Sequence, residues 1–260
     1  MASSPSFDPT AGAPVRGPSA QTFLKLDWQY PVYEETGEAD DGRTVAKRAN
    51  KALPVEAALA FLAGDDPRPL LVLRECKFCN GTDDALLSRG QIDNEKTFLL
   101  ARWFHCVKLP VAVLEEDNPF HNLFLPADDA PHMFLVAADG SSRVNMESER
   151  SRAELWDSMV TVLKATYEKN PDGSLRTMAK TIDRFDVVDE EIASLEVRVE
   201  EILEKDGPRS RKLKKVQDAL TKATKEREQL LQDMQEATEK LKLKKVARAK
   251  PDGGGSSSGI

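Results

Sequence analysis

Apolar positions along the chain follow two patterns. Between about residues 50 and 170, short apolar runs alternate with helix-period stretches. VEAALAFLA, preceded by Pro54, predicts a helix with proline at its first turn and Gly64 as its stop. PLLVL, after Asp65-Asp66-Pro67, is a short continuous apolar run and predicts a buried strand. Thr82-Asp83-Asp84 predicts a helix start, because such side chains accept hydrogen bonds from the free N–H groups of a first turn. A further helix is predicted over Glu95 to His105, then a strand over VKLPVAVLEED with Pro110 near its entry. MFLVAADGSSRVN, with Asp139-Gly140 between extended residues, predicts a hairpin. In SRAELWDSMVTVLKATYEKN, Leu155, Met159, Val162, Leu163 and Thr166 share one helical face. Asn170-Pro171-Asp172-Gly173 then breaks the chain. Strands alternating with helices and closing in a hairpin and a helix predict an α/β domain: a mixed sheet covered by helices.

From about residue 177 to 249 the pattern changes. Phe185, Val188, Ile192, Leu195, Val199 and Ile202 recur at spacings of three and four, the a/d seam of a packed helix. Asp206-Gly207-Pro208 stops that helix. A second seam runs through Leu213, Val216, Leu220, Ala223, Leu230, Met234, Ala237 and Leu241, with Arg227 as its polar exception. Two seamed helices joined by a tight turn predict an antiparallel coiled-coil hairpin. Charge points the same way. Met178–Asp206 holds 4 basic and 10 acidic residues, whereas Arg211–Lys250 holds 13 basic and 6 acidic. Helices of opposite sign attract side by side, and two copies of either would repel.

Composition adds the boundaries. Residues 1–20 are rich in Ser, Pro, Ala and Gly and are expected to be a disordered tail, as are residues 250–260, which have linker composition. That leaves an α/β domain over 21–170 and the hairpin over 177–249. The net charge of −7 gives no overall attraction to nucleic acid or anionic membranes. The Lys-rich end KLKLKKVARAK lacks aromatic residues for base stacking, so nucleic acid is not an expected partner. No apolar run approaches the ~20 residues of a membrane span, and none is expected. The N-terminus lacks a basic cluster followed by an apolar core, so no secretory signal is expected and the cytoplasm is the expected compartment.

The chemistry-bearing stretch is Leu71-Val72-Leu73-Arg74-Glu75-Cys76-Lys77-Phe78-Cys79-Asn80-Gly81. Three cysteines make no disulfide framework, and in a reducing compartment a C-x-x-C pair serves redox chemistry or metal binding more often than structure. In a redox pair one thiolate attacks and the other resolves the mixed disulfide. Cys76 directly follows a strand, where the start of a helix would favour its thiolate. Lys77 adds a positive charge, and Glu75 opposes it. A metal reading would join Cys76 and Cys79 to His105 and Cys106 as a Cys₃His zinc site, although adjacent ligands point in different directions. A third reading leaves both thiols reduced and buried, without chemistry. Phosphate-loop, dinucleotide-loop, H-E-x-x-H and G-x-S-x-G motifs are absent from the sequence. The paired acids Asp83-Asp84, Glu115-Glu116 and Asp128-Asp129 read as solvated loop or cap residues.

Helix, strand, C-x-x-C, helix, strand, a loop ending in Ala130-Pro131, a strand hairpin and a last helix: in this order the chain resembles a thioredoxin-like domain over residues 45–168. The motif reads Glu-Cys-Lys-Phe-Cys-Asn where thioredoxins proper have Trp-Cys-Gly-Pro-Cys-Lys. The resemblance implies that Cys76 is the nucleophile, Cys79 the resolving thiol and Pro131 a cis-proline facing them. It implies thiol–disulfide exchange on a protein or small-molecule disulfide, with no bound cofactor or metal. The alternative is a scaffold without catalysis, whose coiled-coil hairpin docks a protein partner or a second copy.

Overall fold

In the computed structural model the described residues are 16–38, 44–48, 51–75, 94–126, 130–146 and 151–244. A short antiparallel pair, β1 (Glu34–Glu38) and β2 (Thr44–Arg48), stands as a sheet of its own. Helix α2 (Val55–Ala63) follows Pro54 and ends at Gly64, whose φ of 54° lies in the left-handed region that suits glycine. The main sheet has four strands in the order β4-β3-β5-β6. These are β3 (Leu70–Arg74), β4 (His105–Leu109), β5 (Met133–Val136) and β6 (Val144–Met146). Strand β3 runs parallel to β4 and antiparallel to β5, and β5–β6 is the hairpin predicted around Asp139-Gly140.

Strand β3 is buried throughout because helices cover both of its faces, which is why it reads as an unbroken apolar run. Alternation divides its side chains. Leu70 and Val72 join Ala58, Leu59 and Leu62 of α2, with Val107, Phe134 and Val136 from the neighbouring strands. Leu71 and Leu73 face the other way, onto helix α3 (Glu95–Ala101) and helix α4 (Arg152–Thr166). Helix α4 starts with a reciprocal cap: Ser151 Oγ accepts from the Glu154 backbone N–H, and the Glu154 carboxylate accepts from the Ser151 N–H.

Helices α5 (Asp172–Asp206) and α6 (Arg211–Glu239) run back along one another across a turn at Gly207. Val188 and Ile192 of α5 pack against Ala223 of α6, and Arg184 pairs with Glu226. At their base both helices enter the sheet's own core: Met178, Ile182, Phe185, Met234 and Ala237 pack with Leu71, Leu73 and Met159. The Trp103 indole donates to the Thr238 carbonyl at 2.9 Å, and the Tyr167 hydroxyl donates to the Trp103 carbonyl at 2.9 Å.

Several boundaries depart from expectation. Helix α3 stops at Ala101, and His105 and Cys106 open strand β4. The stretch VKLPVAVLEED is not one strand: β4 ends at Leu109, and Val111–Leu114 is a 3-10 helix. Pro110 has no N–H to continue the ladder and separates the two. Helix α5 begins at Asp172, with Gly173 inside its first turn, and α6 ends at Glu239. Leu243 then bridges Tyr167.

The expected tail over 1–20 is corrected at its end, where α1 (Pro18–Gln21) docks on α5. There Arg16 bonds Glu95 and Asp186, and both the N–H and Oγ of Ser19 donate to Asp189. Among the described residues no helix is long and apolar enough to cross a membrane.

Candidate functional site

The end of β3 fixes the site's position. Antiparallel pairing sets Leu73 opposite Met133, and the Arg74 N–H continues the ladder to the His132 carbonyl at 2.8 Å. The same register carried forward sets Pro131 across from Glu75, the residue before Cys76. On the other side the Glu75 N–H donates to the Leu109 carbonyl at 2.8 Å. The chain therefore leaves the sheet toward Cys76 between the end of β4 and the buried Pro131.

Charge at this exit is predominantly positive. Arg74 is buried, 7% exposed, because it closes an apolar strand beneath the loop that enters β5. Its Nη2 donates to the Ala130 carbonyl at 3.3 Å and lies 3.4 Å from His132 Nδ1. Burial pulls the Arg74 guanidinium below its ordinary pKa. His132 is likewise lowered, by burial and then by the Arg74 charge. Glu75, which would oppose a thiolate, sits 3.5 Å from Lys108 Nζ.

Cys76 and Cys79 lie outside the described residues, as does the predicted helix start at Thr82-Asp83-Asp84. Pro131 is corrected in one respect. The cis X–Pro bond among the described residues joins Leu125 to Pro126, not Ala130 to Pro131.

The Cys₃His zinc reading fails on strand geometry. His105 and Cys106 are neighbours on β4, so their side chains leave opposite faces of the sheet. Cys106 joins the core under α3 and α4, while His105 Nδ1 meets Asp66 Oδ2 at 2.9 Å. The described residues contain no cluster of three metal-ligating side chains.

Two clusters were not singled out by sequence reasoning. Asp66 accepts from the Arg68 backbone N–H at 3.0 Å, from the Arg68 guanidinium and from His105. Burial alone would raise its pKa. The bonds from Arg68 and His105 outweigh burial and hold the carboxyl well below the usual range. This cluster ties the loop before β3 to the first residue of β4. Among the described residues His105 Nε2 is buried and meets no hydrogen-bond partner.

The second cluster groups Arg68, Arg102 and Lys25 around a cavity beside Cys106. Burial pushes the Cys106 thiol up to about 12, so it stays protonated and inert at neutral pH. The only sequence signal for either cluster is a charged residue at the edge of an apolar run.

No protein-family model, curated protein or solved structure matches the chain.

Proposed function

We propose that the protein exchanges disulfides through Cys76 and Cys79 on a thioredoxin-like α/β domain, in the cytoplasm. The observation that carries this reading is the register at the end of β3, which brings Pro131 and His132 alongside the two residues before Cys76. The described elements α2, β3, α3, β4, β5, β6 and α4 also follow the order on which the resemblance rests. The buried Arg74 guanidinium and the Lys108–Glu75 pair give the exit a potential that favours a thiolate.

In the exchange, the Cys76 thiolate attacks one sulfur of a substrate disulfide and the other leaves as a thiolate. Cys79 then attacks Cys76 and displaces the second substrate sulfur. The substrate gains two electrons, and a Cys76–Cys79 disulfide forms.

Replacing Cys79 with Ser tests this step. C79S is expected to accumulate a mixed disulfide at Cys76 with an insulin-type substrate, and the wild type to cycle with dithiothreitol. If neither Cys76 nor Cys79 alkylates with iodoacetamide below about pH 9, where a free cysteine is already ionised, the reading fails.

A second reading is favoured by the far ends of α5 and α6, taken as an antiparallel coiled-coil hairpin. Val197 is 57% exposed and Leu203 41%, and Val199 and Ile202 are only half-buried. A hairpin with such a tip would dock a protein partner or pair with a second copy as a four-helix bundle. Sedimentation of the full chain against V197K/L203K tests the second-copy form. A dimer that the double variant dissolves supports it, and a wild-type monomer at all concentrations removes it.

A further inference from the structure

The turn after α3 leaves Arg102 with a single carboxylate acting on its charge, Asp27. Its guanidinium lies over the Phe23 ring, 4.9 Å from the centroid, and its Nε is buried with no hydrogen-bond partner among the described residues. Asp27 acts on it through space, without a hydrogen bond to its Nε. A partly buried cation with so weakly placed a counter-charge is costly to keep.

Arg102 lines a cavity of about 120 Å³ together with Lys25, Asp27, Arg68, Phe104 and Cys106. A cavity needs about 10–15 Å³ on the same measure to hold one water, so this one has room for a phosphate-sized group. Two acids lie nearby, Asp66 tightly paired and Asp27 loosely. Asp27 sits 3.6 Å from Lys25 Nζ, and Asp66 holds Arg68. Three cations against two carboxylates leave one positive charge over. Arg68 Nη1 donates to the Arg102 backbone carbonyl at 3.1 Å, and the two positive charges repel. At the wall the neutral Cys106 thiol offers no repulsion to an anion, and the Asp27 carboxylate, 83% exposed, is screened by solvent.

We propose that this cavity binds a phosphate-sized oxyanion, paired with Arg102 and with Lys25, whose solvent-screened pair with Asp27 leaves its ammonium able to turn to the anion. Its lining includes neither Cys76 nor Cys79, and the test below does not read disulfide exchange.

The experiment follows thermal unfolding of the full chain at constant ionic strength, with inorganic phosphate in one arm and glycerol phosphate in the other. A saturable rise in Tm is expected for wild type, because a ligand that binds only the folded state stabilises it by mass action. R102M should lose the rise. In phosphate-free buffer it should melt no lower than wild type, because the weakly matched guanidinium is gone.

Lys25 is half exposed and its replacement does not threaten folding. K25Q, measured by calorimetry with phosphate, should weaken binding by about tenfold, the loss of one charge-assisted bond. A stronger response to inorganic phosphate identifies a free-ion site, and an equal or stronger response to the ester identifies a site for a terminal phosphate group. Absence of a saturable shift in both arms overturns the proposal, as does a shift that R102M and K25Q both leave unchanged.

Discussion

Replacing Asp66 with Asn keeps the side chain's shape and removes its charge. In the wild type one carboxylate serves the Arg68 guanidinium, the Arg68 backbone N–H and His105 Nδ1. An amide can accept from one neighbour but turns its NH₂ toward another. The His105 bond is the sheltered one, since that side chain is 6% exposed, and a bond to a charged group contributes about 1.5–3 kcal/mol. The Arg68 side chain is 41% exposed, so solvent screens that pair to the ~0.5 kcal/mol of a surface ion pair. Together D66N should cost about 2 kcal/mol at pH 7, or about 4–8 °C in Tm for a chain of this size.

The cost should depend on pH with a definite sign. The folded carboxyl ionises below its unfolded value near 3.9, so its stabilisation is complete above that value and fades as pH falls through the folded pKa. Urea unfolding of wild type and D66N from pH 7 to pH 2.5 measures this. The gap should be constant down to about pH 5 and narrow below about pH 4. A gap that stays the same from pH 7 to pH 2.5 would refute the argument. So would one below about 0.5 kcal/mol at pH 7, the size of an ordinary surface substitution.

Cys106 should resist iodoacetamide at pH 8 in the native protein, because burial pushes its thiol up to about 12; mass spectrometry of C76S/C79S should find no label before urea is added. Ser151→Ala removes the side-chain half of the α4 cap and should cost about 1 kcal/mol in urea unfolding, with Ser151→Thr largely restoring it. Arg16→Ala breaks the bonds to Glu95 and Asp186 and should raise proteolytic nicking before residue 22, while global Tm falls by less than the D66N value. Unchanged protease sensitivity would mean that Ser19 and Asp189 suffice to hold the strap.

Elements whose signal lies within their own residues were legible in the sequence. The unbroken apolar run of β3, the Pro54–Gly64 frame of α2 and the turn at Asp139-Gly140 each specify a local geometry, and each stands where expected. What failed depended on distant partners. Trp103 and Phe104 look like helix continuation beyond Ala101. They instead turn the chain into β4, because Trp103 finds its partner on α6, 135 residues away. Arg16 reads as part of a tail until Glu95 and Asp186 stand around it. The burial of Arg74 at the end of β3 was not legible, since a strand-end arginine ordinarily reaches solvent.

The shared core also decides how the two functional readings can be separated. Cutting the chain after Asn170 would seem to divide an α/β domain from a helical arm. Met178, Ile182 and Phe185, fully buried against the sheet's core, make that cut destructive. Removing one large apolar core side chain costs ~2–5 kcal/mol, and this cut removes several at once. It would also take away Thr238, the acceptor for Trp103, and Leu243, the bridge to Tyr167. Loss of disulfide exchange in such a fragment would reflect unfolding and say nothing about the arm. The informative change shortens both helices together beyond Ile192 and Leu220, where the seam leaves the sheet behind. If exchange survives that trimming while self-association is lost, the tip docks and the sheet reacts. If exchange is lost although Tm is unchanged, the tip takes part in holding the substrate, and the two readings become one.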